Sequence, residues 1–121
     1  MTVSATADIW TDNYRQRSYM TVTLHFCLPH FTLQDMVLRT AVFTEAKTSE
    51  NIAAELTNIL NCFGLEHKKV IYVTDQGSNV VKACRLNAAE RLSCVAHGLH
   101  NLTTVDGAGK CTPIQSLIVK V

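Results

Sequence analysis

Hydrophobic and polar positions alternate from the start of the chain. Residues 2–10, TVSATADIW, read as a first strand whose apolar members are Val3, Ala5, Ala7 and Ile9. In residues 18–28, SYMTVTLHFCL, the alternation is cleaner. Met20, Val22, Leu24, Phe26 and Leu28 fall on one side, and Tyr19, Thr21, Thr23, His25 and Cys27 on the other. A period of two marks a strand with one face more buried. Pro29 ends this run because it has no N–H to give to a ladder. Residues 33–43, LQDMVLRTAVF, are rich in branched and aromatic side chains and predict a third strand. The links 11–17 and 29–32 are short and polar, so the three strands are expected to form an antiparallel meander.

The period then changes. In SENIAAELTNILNCFG the apolar positions Ile52, Ala53, Leu56, Ile59, Leu60 and Phe63 recur at helical spacing, giving one apolar stripe. Thr48 or Ser49 suits the N-cap, Glu50 suits the positive end of the helix dipole, and Gly64 suits the position just past the last turn. Val70, Ile71, Tyr72 and Val73 are continuously apolar, as in a strand covered on both faces. Strand, helix and strand in that order imply a right-handed crossover into a parallel position. Ser78 is the expected cap of a second helix, NVVKACRL; RLSCVAH, 91–97, reads as a fifth strand; and the chain is expected to turn helical again from His97. The order β-β-β-α-β-α-β-α is the ribonuclease H-like order, in which the first and fourth strands lie side by side at the centre. The expected class is α/β, a mixed five-stranded sheet flanked by helices, and residues 1–121 are expected to form one partial domain of that type.

Composition narrows the picture only slightly. The 121 residues suffice for one domain. A 47% hydrophobic and 17% charged makeup is that of an ordinary globular chain. Eleven basic and ten acidic residues give a net charge of +1 with no basic run, so bulk electrostatics announce no nucleic-acid partner. Five cysteines without a tight spacing framework argue against a secreted disulfide scaffold and for a reducing compartment. No apolar run reaches the roughly 18 residues of a membrane span, and MTVSATADIW lacks the regions of a signal peptide. The chain starts inside a strand and closes on the apolar PIQSLIVKV, the pattern expected of a piece of something longer.

One acid stands out. Asp8 lies in a run that otherwise reads as buried, and a buried carboxylate without a partner costs several kcal/mol, on the order of 1–3 or more. It is therefore expected to have a counter-charge, a hydrogen-bond network or a metal ion. Asp75 ends the fourth strand, and sites in sheets of this kind lie beyond the carboxyl ends of parallel strands. Neighbouring strands run about 4.8 Å apart, so Asp8 and Asp75 can share one hard cation such as Mg²⁺ or Mn²⁺. Two such ions would activate a water or hydroxyl and stabilise a leaving oxygen in phosphoryl transfer. Plainer readings stay open. Asp75 caps a helix or closes a turn, or Asp8 pairs with Arg15 or Arg17.

The stretches ATADIWTDNYRQRSYMTVTLHF, ENIAAELTNIL, VIYVTDQGSNVVKA and RLSCVAHGLHNL, taken together and in order, resemble the transposases of the hAT superfamily, of the hobo and Hermes type. The similarity runs over roughly residues 5–105. The resemblance implies a ribonuclease H-like catalytic domain that cuts and joins DNA in the nucleus with a D-D-E triad and divalent metal. It places the first two acids at Asp8 and Asp75, and it maps a C-x-x-H motif near the active site to Cys94 and His97. The third acid of such proteins is a Glu on a late helix. Glu45, Glu50, Glu55, Glu66 and Glu90 all lie upstream of its place, so this chain alone is not expected to cleave DNA. The zinc-finger and dimerisation parts of such proteins, through which a homo-oligomer would form, are also absent from the pattern.

Other residues invite roles. Trp10 shares the strand face of Asp8 and either meets substrate or is a core or rim aromatic. It is not the base-flipping tryptophan of the resembled proteins, which belongs to a later insertion. Cys94, His97 and His100 form C-x-x-H-x-x-H, but zinc takes four ligands from two paired motifs, and His25, Cys27 and His30 make a poor second pair. His97 is a polar neighbour of metal or phosphate, or a structural histidine. Cys27, Cys62 and Cys84 are expected to be buried thiols. Arg15 and Arg17 either touch phosphate or are exposed turn charges. The leading reading is a hAT-type transposase fragment or a protein derived from one. The other is a catalytically inactive nuclear protein that binds DNA and regulates transcription. A 3′–5′ exonuclease of the same fold fits less well, since it would want D-x-E where Asp8 is followed by Trp10.

Overall fold

The computed structural model describes residues 2–107 and 110–111; the apolar stretch 113–121 lies outside the described residues. Strands β1 (Thr2–Asp12), β2 (Arg17–Leu28) and β3 (Thr32–Phe43) come first. They are followed by α1 (Ser49–Cys62), β4 (Lys69–Thr74), α2 (Ser78–Leu86), β5 (Glu90–Ser93) and α3 (Val95–Asn101), which continues as a π-helical turn over Leu102–Asp106. The five strands form one sheet in the order β3-β2-β1-β4-β5. The first three are antiparallel, while β4 and β5 add in parallel. The expected mixed sheet with β1 beside β4 is what the chain forms.

Alternation decides which face each strand buries. Val3, Ala5 and Ala7 of β1, Met20, Val22 and Leu24 of β2, and Val70 and Tyr72 of β4 are buried together with Ile52, Ala53, Leu56 and Ile59 of α1 and Ala83 and Cys84 of α2. Both long helices thus seal the same face. At about 25 cal/mol per Å² of apolar surface, this shared layer is the main favourable contribution to the fold. The opposite face carries Ser4, Thr6, Asp8, Trp10, Thr21 and Thr23 and stays half-open, with Val37 58% and Leu92 60% exposed. Along β3 the pairing slips: Val22 faces Arg39 while Thr23 faces Val37, so Leu38 is an extra residue that turns into the core. Such a bulge bends and twists the strand.

Local signals set the helix ends. Thr48 is the N-cap of α1, its Oγ1 accepting from the Asn51 N–H at 3.2 Å. Gly64 follows the last turn with φ +64°, a conformation that glycine adopts without a Cβ clash. The Lys82 ammonium of α2 meets Glu50 of α1 at 3.0 Å, so the two helices are tied as well as packed.

Four expectations need correction. Ser78 does not cap α2; the N-cap is Gly77, and its N–H is taken by the Asp75 carboxylate. The fifth strand stops at Ser93 rather than reaching His97. The Cys94 N–H donates to the Thr74 carbonyl at 2.8 Å as the last rung, and the helix begins at Val95. Of the three thiols expected inside, only Cys84 is buried. Cys27 lies at the exposed end of β2 on the half-open face, and Cys62 lies in the last turn of α1 off the apolar stripe. Finally, Asp8 is exposed. It takes the even parity of β1, opposite Val3, Ala5 and Ala7, so no desolvation cost demands a partner for it.

Candidate functional site

The geometry of the site follows from the β1–β4 register. Ser4 faces Ile71 and Thr6 faces Val73 in parallel pairing. The pairing ends there; Asp8 stands two residues past Thr6 in β1, and Asp75 two residues past Val73, just after the last residue of β4. Opposed residues of parallel neighbours point to the same face, here the half-open one. Axes of adjacent strands are about 4.8 Å apart, so the two acids leave neighbouring strands at the same end of the sheet. That end is the carboxyl edge of the parallel strands, where sites in open sheets gather.

The two acids differ in how free they are. Among the described residues, none hydrogen-bonds the Asp8 side chain or forms an ion pair with it. It pairs with neither Arg15 nor Arg17, because Arg15 turns to Asp12, with Nε 3.9 Å from Oδ2. Asp75 uses one oxygen: Oδ1 accepts the Gly77 N–H at 3.0 Å, a tight turn that the side chain itself closes. Gly77 leaves the room for this. A Cβ there would stand 3.1 Å from that same oxygen. Among the described residues, three of the four carboxylate oxygens are therefore uncommitted. Hard oxygen donors on one open edge fit Mg²⁺ or Mn²⁺, which commonly take one or two carboxylates and fill the remaining positions with water or phosphate oxygen.

Behind Asp75 lies a network that the sequence reading missed. Arg91 of β5 donates from Nε to Thr74 Oγ1 at 2.8 Å and from Nη2 to the Asp75 carbonyl at 2.7 Å. Nη2 also lies 3.3 Å from Ser93 Oγ. Thr74, buried at 2% exposure, donates its own hydroxyl to the same Asp75 carbonyl at 2.9 Å. The available signal was a lone guanidinium in a four-residue strand paired against buried Tyr72, where a charge needs a reason.

The other candidates spread around this edge. Cys94 is half-buried and is the N-cap of α3, held next to β4 through its backbone bond to Thr74. His97 is exposed in the first turn of α3. Trp10 lies two residues beyond Asp8 on the same face and stacks on Tyr19, so it is a rim aromatic, 45% exposed. Arg15 and Arg17 stand exposed at the tip of the β1–β2 hairpin. Among the described residues, no three His, Cys, Asp or Glu side chains come together as a metal-holding group. The C-x-x-H-x-x-H residues do not assemble one, and no Glu joins Asp8 and Asp75. Glu50 is paired with Lys82, Glu55 with Arg39, Glu66 with His67 and Glu90 with Lys69.

Comparison with known proteins gives the chain relatives. Residues 6–100 match the family model of the ZBED1 RNase-like domain. The chain is also 39% identical over 101 residues to the transposable element Hobo transposase of Drosophila melanogaster, a match that covers 82% of the chain. The chain spans 15% of the length of that relative. Among the described residues, no helix is long and apolar enough to cross a membrane.

Proposed function

The chain belongs to the ZBED1 RNase-like domain family, of hAT transposase type, and from that premise we propose that it carries two acids of a metal-dependent centre for DNA strand cleavage and transfer. The observation that supports this is the parallel pairing of β1 with β4, which ends at Thr6 and Val73 and puts Asp8 and Asp75 two residues on from that pair at the carboxyl edge. Asp8 offers both oxygens and Asp75 offers Oδ2 to Mg²⁺ or Mn²⁺, while Asp75 Oδ1 stays on Gly77. A divalent cation held there would supply Lewis acidity for the attacking and leaving oxygens of phosphoryl transfer.

The residues of this chain would do the binding and orienting. The open sheet face beside Asp8 gives a DNA backbone a way in, with Trp10 on its rim. Cys94 and His97 flank the far side of Asp75, where an exposed imidazole reaches a phosphate oxygen. A third acid, which completes such a centre, comes from outside the group formed by the described residues. The substrate is DNA and the working compartment is the nucleus.

Titration of the purified chain with Mn²⁺, followed by electron paramagnetic resonance, tests the reading. Asp8→Asn and Asp75→Asn are each expected to weaken Mn²⁺ binding at least tenfold while the fold persists by circular dichroism. A parent chain that binds no Mn²⁺, or variants that bind it unchanged, would remove the metal centre and leave a non-catalytic DNA-binding role.

A further inference from the structure

We propose that Arg91 is the positioning residue of Asp75, holding the acid in its metal-facing conformation from the helix-covered side of the sheet. The proposal rests on the two-carboxylate reading above. Asp75 follows the last residue of β4, so the ladder no longer fixes it. Its peptide plane is set instead by what its carbonyl accepts: the Arg91 guanidinium at 2.7 Å and the Thr74 hydroxyl at 2.9 Å. Arg91 also grips that hydroxyl through Nε at 2.8 Å, so the two donors are locked to each other. A planar guanidinium with several fixed donors suits such a clamp, and an ammonium reproduces only part of it.

The geometry has a direct consequence. Arg91 pairs with Tyr72 on the face sealed by the helices, while Asp75 has the parity of the open face. Arg91 therefore touches neither metal nor DNA. It acts through the backbone of Asp75, whose fixed plane in turn aims the carboxylate at the Gly77 N–H and leaves Oδ2 outward. Partners that orient a ligand in this way typically change metal affinity by about 10–100-fold when removed.

The test uses Mn²⁺ alone as the probe on four variants of the chain. Arg91→Met keeps the length of the side chain and removes its donors. It is expected to weaken Mn²⁺ binding about tenfold and to shift the Gly77 amide resonance in ¹⁵N–¹H spectra. Arg91→Lys is expected to restore part of both. Leu56→Ala, a core change in α1, is expected to lower stability with Mn²⁺ affinity and the Gly77 resonance unchanged. Asp75→Asn separates the two levels of the argument. If it leaves Mn²⁺ binding unchanged, the two-carboxylate reading fails. If it weakens binding while folded Arg91→Met keeps parental affinity and an unmoved Gly77 signal, the role of Arg91 fails alone. Should Arg91→Met not fold, Arg91→Lys decides, because a single ammonium cannot reproduce the paired bonds to Thr74 Oγ1 and the Asp75 carbonyl. Parental affinity and an unmoved Gly77 resonance there overturn the proposal.

Discussion

Trp10 and Tyr19 lie directly across β1 and β2 and stack with their ring centroids 4.6 Å apart and their planes 19° from parallel. The pair stands two residues beyond Asp8 and pins the outer end of β1, which there has only β2 as a partner. Aromatic pairs contribute about 0.5–1.5 kcal/mol beyond the area they bury. Trp10→Ala is expected to cost about 1–2 kcal/mol in urea unfolding. A double-mutant cycle with Tyr19→Leu should give a coupling near 1 kcal/mol, and a coupling of zero would mean that the stack holds nothing. Trp10 is the sole tryptophan, so its fluorescence reports on this end of the sheet.

Gly77 is expected to resist even the smallest enlargement. An alanine Cβ would crowd Asp75 Oδ1 at 3.1 Å, pushing the carboxylate off the Gly77 N–H. Gly77→Ala should lower the unfolding midpoint by the loss of one charge-assisted hydrogen bond, about 1–2 kcal/mol, and weaken Mn²⁺ binding with it. Unchanged affinity together with a stability gain would show that the turn does not orient the acid.

Burial raises the phenol of Tyr72 to about 12, with Cys84 nearby adding to the effect. A phenol in the unfolded chain titrates near 10, so the folded state favours the neutral form. That contribution is complete below pH 10 and is lost as the pH climbs from about 10 to about 12. It amounts to roughly 2–3 kcal/mol for a shift of this size. Among the described residues none bonds the Tyr72 hydroxyl, so Tyr72→Phe is expected to be nearly neutral at pH 7. It should also flatten the stability profile between pH 10 and 12. An identical alkaline loss in the variant would place its origin in another group.

Leu56 is 1% exposed at the centre of the layer between α1 and the sheet. Leu56→Ala should cost about 2–5 kcal/mol by denaturant unfolding, a large share of the stability of a small domain. A loss under 1 kcal/mol would show that the helix collapses onto the sheet to fill the gap.

The parts of the fold that depend on periodicity were legible in the sequence. The alternation of β2, the stripe of α1 and the continuous apolar run of β4 predicted the element order, and the likeness of that order to the ribonuclease H-like one predicted the pairing of β1 with β4. Legibility failed where parity or a single hydrogen bond decides. Asp8 was grouped with Val3, Ala5 and Ala7 because the whole run looked apolar, but its even position turns it to the open face. Ser78 had the right chemistry for a cap, yet Asp75 reached the Gly77 N–H first. Cys94 ended β5 early because its N–H supplied the last rung to Thr74. The Arg91 clamp was invisible because it joins residues in two strands whose neighbourhood exists only after folding.

The parallel pairing of β1 with β4 also governs when the site can exist. The two acids are 67 positions apart (75 minus 8), and nothing local brings them together. The meander of β1, β2 and β3 closes through short links. Docking β4 onto β1 instead requires a long loop to be closed, with its entropy cost met before any contact rewards it. Asp8 thus waits on a finished hairpin sheet until the crossover delivers Asp75. On the proposed two-carboxylate reading, metal binding is expected to be a late milestone of folding, and a stopped-flow Mn²⁺ signal would time the arrival of β4.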